Sequence, residues 1–135
     1  MSCLKYFKLL FVSISCVLSL SACVGNDAPE VVAQNFVQAA TKGDIDKILK
    51  LGNTSEASAA ELEEIQSDLK EIVIDFKKEI DAQGGAKSIK AVGTEISEDG
   101  NIAKVMIQLE TNSGKGGGTK PVKLKKIDGK WRLVL

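Results

Sequence analysis

The pattern of apolar and polar positions divides the chain into three parts. Residues 9–20 form an apolar run that is interrupted only by serines. Residues 29–82 carry apolar side chains at steps of three and four, which is the spacing of one face of an α-helix. From Lys87 onward apolar and polar positions alternate, as they do in a half-buried β-strand. The pattern therefore predicts an apolar N-terminal segment, then helices, then a sheet.

The first two helices have clear start and stop signals. Ala28-Pro29 predicts the start of one helix, because proline is tolerated in the first turn, and Lys42-Gly43 predicts its end. Asp44 is placed to cap a short second helix over residues 45–51. Gly52 and the polar residues after it then stop this helix.

A third, longer helix is predicted after residue 58. Ser58 and Glu61 have the spacing of a capping box, and Gly84-Gly85 marks the end. About 25 residues would give a helix near 38 Å long. Its apolar positions predict one continuous stripe that packs across a sheet: Leu62, Ile65, Leu69, Ile72, Val73, Phe76 and Ile80.

Four strands are predicted in the C-terminal half. The first covers residues 88–97, with Gly93 at a bulge, and residues 98–101 form a hairpin turn. Asp128-Gly129 is a strong signal for a second tight turn. The remaining strands are marked by Ala103, Val105, Ile107 and Leu109, then by Val122 and Leu124, then by Trp131, Leu133 and Leu135. Helices followed by an antiparallel meander predict an α+β fold, with N-terminal helices packed on a curved antiparallel sheet.

The apolar N-terminal segment has the features of a secretory signal. Lys5 and Lys8 precede an apolar run that is shorter than the roughly 20 residues of a membrane-spanning helix. The residues that follow, Leu20, Ser21, Ala22 and Cys23, resemble the lipobox of bacterial lipoproteins. The resemblance implies that residues 1–22 are removed and that Cys23 becomes an acylated N-terminus. Several acyl chains give stable anchoring, which one chain does not.

This reading predicts a cell-envelope protein with three segments. They are the lipoprotein signal peptide 1–22, a lipidated tether 23–28 and a single α+β domain 29–135. The tether reaches at most about 17 Å, so the domain would sit close to the membrane. Val24 follows Cys23 where many lipoproteins retained at the inner membrane have Asp, which favours the outer membrane in a host with two membranes.

Composition after processing excludes several functions. Loss of Lys5 and Lys8 lowers the number of basic residues from 18 to 16, while the number of acidic residues stays at 18. The resulting formal charge of −2 gives no reason to expect binding to nucleic acid. The chain has no histidine, and of its three cysteines only Cys23 remains. The usual zinc ligand sets and the Ser-His and Cys-His nucleophile pairs are therefore missing. We expect no catalytic residues, no metal and no cofactor.

Several motifs together resemble one family of small bacterial lipoproteins. They are Pro29-Glu30-Val31-Val32, Lys42-Gly43-Asp44, Ala103-Lys104-Val105 and the ending from Lys123 to Trp131. The chain is similar to the lipoproteins with a lumazine-binding-like domain of unknown function, in the nuclear transport factor 2-like (cystatin-like) superfamily. The resemblance implies a cone with an internal cavity. It implies little about activity, because this fold hosts enzymes, binders and assembly parts.

Three groups of residues are candidates for function. Phe36, Phe76, Val105, Ile107 and Trp131 could line the cavity or simply fill the core. The stretch Gly114 to Lys120 lacks the order of a phosphate-binding loop, which favours a flexible hairpin loop. Basic side chains of the last hairpin are expected on one outer sheet face, either solvated or against anionic head groups: Lys120, Lys123, Lys125, Lys130 and Arg132.

The sequence leaves two functional classes open. The first is a non-catalytic binding or scaffold domain for an envelope protein partner. The second is a carrier that holds a small apolar ligand in the cone, and an enzyme is a distant third. A cavity above about 300 Å³ with inward polar groups would favour the carrier. An exposed apolar patch over a filled interior would favour a protein partner. The oligomeric state is left open.

Overall fold

The computed structural model describes residues 28–135, and the predicted signal peptide and lipobox lie outside them. Three helices come first: α1 (Pro29–Lys42), α2 (Ile45–Leu51) and α3 (Ala59–Ala82). Pro29 occupies the first turn of α1, and Gly43 ends that helix in the left-handed conformation at φ 72°. The side chain of Asp44 accepts a hydrogen bond from the N–H of Lys47, as predicted for the cap of α2.

The capping box of α3 forms as the sequence predicts. Ser58 N–H donates to Glu61 Oε2 at 2.7 Å, and Glu61 N–H donates to Ser58 Oγ at 3.3 Å. The hydrogen bond from the backbone of Ser58, joined by that from its side chain, lowers the pKa of the Glu61 carboxyl from its ordinary value of 4.5. These bonds satisfy donors that a helix start otherwise leaves unpaired.

Four antiparallel strands follow in sequence order in a single open sheet. They are β1 (Ala86–Ile96), β2 (Ile102–Thr111), β3 (Gly118–Ile127) and β4 (Lys130–Leu133). The register of β1 shifts between Ala91 and Gly93, which is the bulge that the glycine predicted. Asp128 and Gly129 both have positive φ, 51° and 77°, as a two-residue hairpin turn requires. The predicted α+β fold of helices on an antiparallel sheet is confirmed.

The core lies between α1 and the inner face of the sheet. α1 contacts all four strands as well as α2 and α3, so it is the central element of the helical layer. The inner face is built from every second residue of the strands, as the alternation predicted. The fully buried inner-face residues are Ala103, Val105, Ile107 and Leu124, and Ala33 and Ile48 meet them from the helices.

The stripe of α3 does not lie across the sheet as predicted. α3 packs chiefly against α1 and α2, and only Val73 and Ile80 of its stripe are buried. Leu69, expected in the core, is only partly buried, and Ile72 is 65% exposed. At 100° per residue Ile72 stands about a quarter-turn from Val73, so it lies at the margin of the stripe. When one helix packs on another, the contact buries the centre of its apolar stripe, and side chains at the margin stay exposed to solvent.

The glycine-rich loop between β2 and β3 was expected to be a flexible hairpin loop. It is a hairpin loop, but it is fastened to the turn between α3 and β1. Asn112 N–H and Ser113 N–H donate to the carbonyls of Gly85 and Gln83, each at 3.0 Å. Asn112 Nδ2 also donates to the Gly84 carbonyl at 2.7 Å, and Ser113 Oγ donates to Gln83 Oε1 at 2.9 Å. The loop therefore links the helical layer to the sheet.

Candidate functional site

An apolar cleft opens between α3 and the β3 edge of the sheet. We call this surface the cleft. It follows from the position of α3, which rests on α1 and leaves one flank of its apolar stripe facing β3. Five residues line the cleft along its whole length: Phe36 from α1, Leu69 and Ile72 from α3, and Pro121 and Val122 from β3.

The cleft has a deep end and an open end. The deep end is a recess of about 190 Å³ that reaches Val73 and Phe76 on α3 and Ile107 on β2. The open end is a groove of about 460 Å³ that continues past Ile65 to the C-terminal residues Val134 and Leu135. Its lining is mainly apolar but includes Asp68 and Lys123. The recess is smaller than the roughly 300 Å³ of a typical small-molecule site. It can accept one large apolar side chain, whereas the groove can accept a longer segment.

Exposed apolar side chains border the open end. Ile72 is 65% exposed, Val134 49% and Leu135 43%. Single exposed apolar residues are ordinary, but a contiguous group beside a recess is typical of an interaction site.

One cation stands at the deep end of the cleft. Lys120 pairs with Ile107 in the β2–β3 register, which places it on the inner face of the sheet. Its Nζ lies 5.0 Å from the centre of the Phe76 ring, in the geometry of a cation–π contact. The expectation that Lys120 shares the outer face with Lys123 and Lys125 is therefore wrong. Lys120 is in phase with Val122 and Leu124, so strict period-two counting could have placed it inward.

The predicted cavity residues separate into two groups. Phe36, Phe76 and Ile107 come together at the recess. Val105 does not line the recess, because it is fully buried in the core beneath α1. Trp131 also lies elsewhere, on β4, where it packs against the core and has the Nζ of Lys126 5.6 Å from its ring centre. The cleft residues that the sequence argument missed are Ile72 at the rim, Lys120, and the C-terminal pair.

The remaining surface offers no site of comparable chemistry in the part of the chain from residue 28 onward. Depressions of about 490 and 540 Å³ lie beside Gln38 and beside Asn53, and both are lined mainly by polar side chains. Over residues 28–135 no three potential metal ligands come together. In the same part of the chain no helix is both long and apolar enough to cross a bilayer.

Comparison with known families identifies the class of the domain. Residues 21–134 match the family DUF4878, which is described as a domain of unknown function. The match covers most of the chain, so the protein belongs to the DUF4878 family. No curated protein matches the sequence. The lumazine-binding-like label stays a prediction.

The fold is shared with a solved bacterial protein. A 2.00 Å crystal structure from Campylobacter jejuni, of a protein with the provisional designation NTF2-like transpeptidase, superposes with a TM-score of 0.68 at 25% identity. The match covers 76% of this chain and 94% of that one. The predicted nuclear transport factor 2-like fold is thereby confirmed.

Proposed function

We propose that the protein is a lipid-anchored component of the bacterial cell envelope whose domain binds an apolar segment of another envelope protein in the cleft. The observation that carries the proposal is the joining of a side-chain-sized recess to an open apolar groove. Protein interfaces are dominated by a few large side chains that fill such pockets at the centre of a contact. The groove then provides the surrounding area from which a partner excludes water.

The sizes of the two ends favour a protein segment over a small ligand. A drug-sized ligand buries most of its surface in a cavity of about 300 to 1,000 Å³. The recess is about 190 Å³, and the larger part of the cleft is open to solvent. An amphipathic helix or extended segment would place one anchor side chain against Phe76 and lay its neighbours along Ile72 and Leu135.

A carrier function is the second candidate, and Lys120 is the observation that favours it. A single cation beside an otherwise apolar recess suits a ligand with an apolar body and an anionic end. The carrier would hold such a molecule with its charged group near Lys120 Nζ. The small enclosed volume is the reason we rank this function below a protein partner.

An enzyme remains the distant third class. The Campylobacter jejuni protein is designated a transpeptidase, which raises acyl transfer as a possible chemistry for this chain. Acyl transfer needs an activated nucleophile. Residues 28–135 contain neither cysteine nor histidine, the usual nucleophile and base of such sites. A serine or threonine nucleophile would need a lysine or carboxylate base, and no such pair lines the cleft.

The anchor has its own test. In Cys23→Ser the thiol that would be alkylated is missing, so the protein should lose its acyl mass and leave the membrane fraction. Mass spectrometry of the mature N-terminus and fractionation of cells measure both effects. Cys16→Ser is the matched control and should change neither. An unmodified N-terminus at another residue in the natural protein would contradict the anchor without bearing on the cleft.

The cleft is tested by two substitutions on one helix. Ile72→Glu puts a charge into the cleft, whereas Ile74→Glu puts the same charge about 200° around α3 from Ile72, at a site 41% exposed. We expect proteins that co-purify with the wild type from envelope extracts to be lost with Ile72→Glu and kept with Ile74→Glu. Native mass spectrometry of the purified domain tests the carrier function, because it detects a bound small molecule. A bound small molecule, displaced by Ile72→Glu, with no partner protein would overturn the proposal.

A further inference from the structure

The outer face of the sheet, on the side away from the helices, carries a cluster of positive charge. Its four members occupy outward register positions: Lys104 on β2, Lys123 and Lys125 on β3, and Arg132 on β4. We call these four residues the basic face. The Nη1 of Arg132 also donates to the carbonyl of Lys50 on α2 at 3.2 Å. Neighbouring strands are about 4.8 Å apart, so the cluster spans roughly 10 Å across three strands.

The cross-strand register brings like charges together within this cluster. Lys104 lies directly opposite Lys123, and Lys125 lies directly opposite Arg132. Like charges at directly opposed positions destabilise a sheet. Glu95 is opposite Lys104 on β1, yet among the described residues the single ion pair is Lys77 with Asp81 on α3. The fold therefore tolerates a repulsion that an anionic surface would relieve.

The nearly balanced total charge hides a strong separation of charge between two sides of the domain. α3 holds eight acidic residues and three lysines. The outward positions of the hairpin over residues 118–133 hold four basic residues, Lys123, Lys125, Lys130 and Arg132, and no acid. Because α3 lies on the helical side and the basic face on the opposite side, the domain has an acidic side and a basic side. A field of this kind orients a protein near a charged surface.

We propose that the basic face docks on the head groups of an anionic lipid bilayer, with α3 turned away from it. A planar partner suits a sheet face whose cations come from three adjacent strands. Ile102, 37% exposed, sits opposite Lys125 on the same face and supplies an apolar contact among the cations. The docking does not depend on acylation of Cys23. Lys123 also lines the open groove of the cleft, whereas Lys104, Lys125 and Arg132 do not.

The test uses residues 28–135, which lack Cys23, after circular dichroism has shown that this fragment folds. The domain is sedimented with vesicles of phosphatidylcholine, with or without phosphatidylglycerol. We expect binding only to the anionic vesicles, and weaker binding as salt rises. Each lysine near the surface contributes roughly a factor of five, so Lys104→Gln with Lys125→Gln, neither of which lines the cleft, should weaken binding about 25-fold. Circular dichroism checks that the variant folds.

The matched control removes the same charge from α3. Lys70→Gln with Lys78→Gln, both exposed, should bind anionic vesicles like the wild type or slightly better. Equal losses in the two double variants, or equal binding to both kinds of vesicle, would overturn the proposal. Binding to duplex DNA or polyglutamate without vesicle binding would overturn it in favour of another polyanion. Ile72→Glu should bind vesicles normally, which separates this proposal from that on the cleft.

Discussion

Two isoleucines on α3 test the packing that creates the cleft. Ile80 is 1% exposed and Ile72 is 65% exposed, although both belong to the same apolar stripe in the sequence. Ile→Ala removes three carbon groups, worth about 2.4 kcal/mol of transfer free energy when fully buried, at ~0.8 kcal/mol each. A cavity adds to this at Ile80, so we expect Ile80→Ala to cost about 3–5 kcal/mol.

Ile72→Ala should behave differently because only about a third of its side chain is covered. Scaling the same transfer free energy gives about 0.8 kcal/mol, and the better helix propensity of alanine offsets a few tenths of it. The net cost should be about 0.5 kcal/mol or less. Leu69→Ala, at a partly buried position, should fall between the two.

Urea unfolding measures these free energies, with the fluorescence of Trp131, the only tryptophan, as the probe. Both substitutions change isoleucine to alanine within one helix, so propensity effects cancel in the comparison. Equal costs at the two sites would refute the orientation of α3, in which Ile80 is buried and Ile72 is exposed. A cost below about 0.5 kcal/mol at Ile80 would refute it as well.

Three further predictions follow from the local structure. Ser58→Ala should cost about 0.5–2 kcal/mol in urea unfolding by removing the N-cap of α3, whereas Ser67→Ala, at an exposed position within the helix, should cost almost nothing. The pKa of Glu61 is lowered in the folded state, so its contribution to stability is present above pH 4.5 and is lost as the pH falls through the folded pKa. Glu61→Gln should therefore weaken the decline of thermal stability in acid. An unchanged pH profile would contradict this. Gly117→Ala should destabilise more than Gly100→Ala in thermal unfolding. Both glycines have positive φ, but a Cβ at Gly117 would clash with the Leu109 carbonyl oxygen, whereas nothing lies within 4 Å of a Cβ at Gly100.

Local signals were sufficient to predict the elements of the fold. The Pro29 start, the Asp44 cap, the Ser58–Glu61 capping box and the Asp128-Gly129 turn each act through neighbouring residues. Their physical causes are therefore contained in short stretches of sequence. The residues on the inner face of the sheet were predictable for the same reason. Side chains alternate between the two faces of a strand, so the alternation of apolar and polar residues indicates which of them point inward.

The arrangement of the helices could not be predicted in the same way. The stripe of α3 indicates that one face is covered, but it does not say whether a helix or a sheet covers it. That depends on α1, which occupies the centre of the inner face and leaves only part of the stripe within reach. The cleft is the space left by this arrangement, so Ile72 and Leu135 could not be assigned to it from their sequence positions.

Crosslinking in intact cells tests the central claim, that the cleft holds a protein partner, most directly. A photoreactive amino acid replaces Ile72 in one strain and Ile74 in another, and the irradiated products are identified by mass spectrometry. We expect a reproducible protein adduct from position 72 that is absent from position 74. The same adducts from both positions, or none from position 72 while the purified protein carries a bound small molecule, would contradict it.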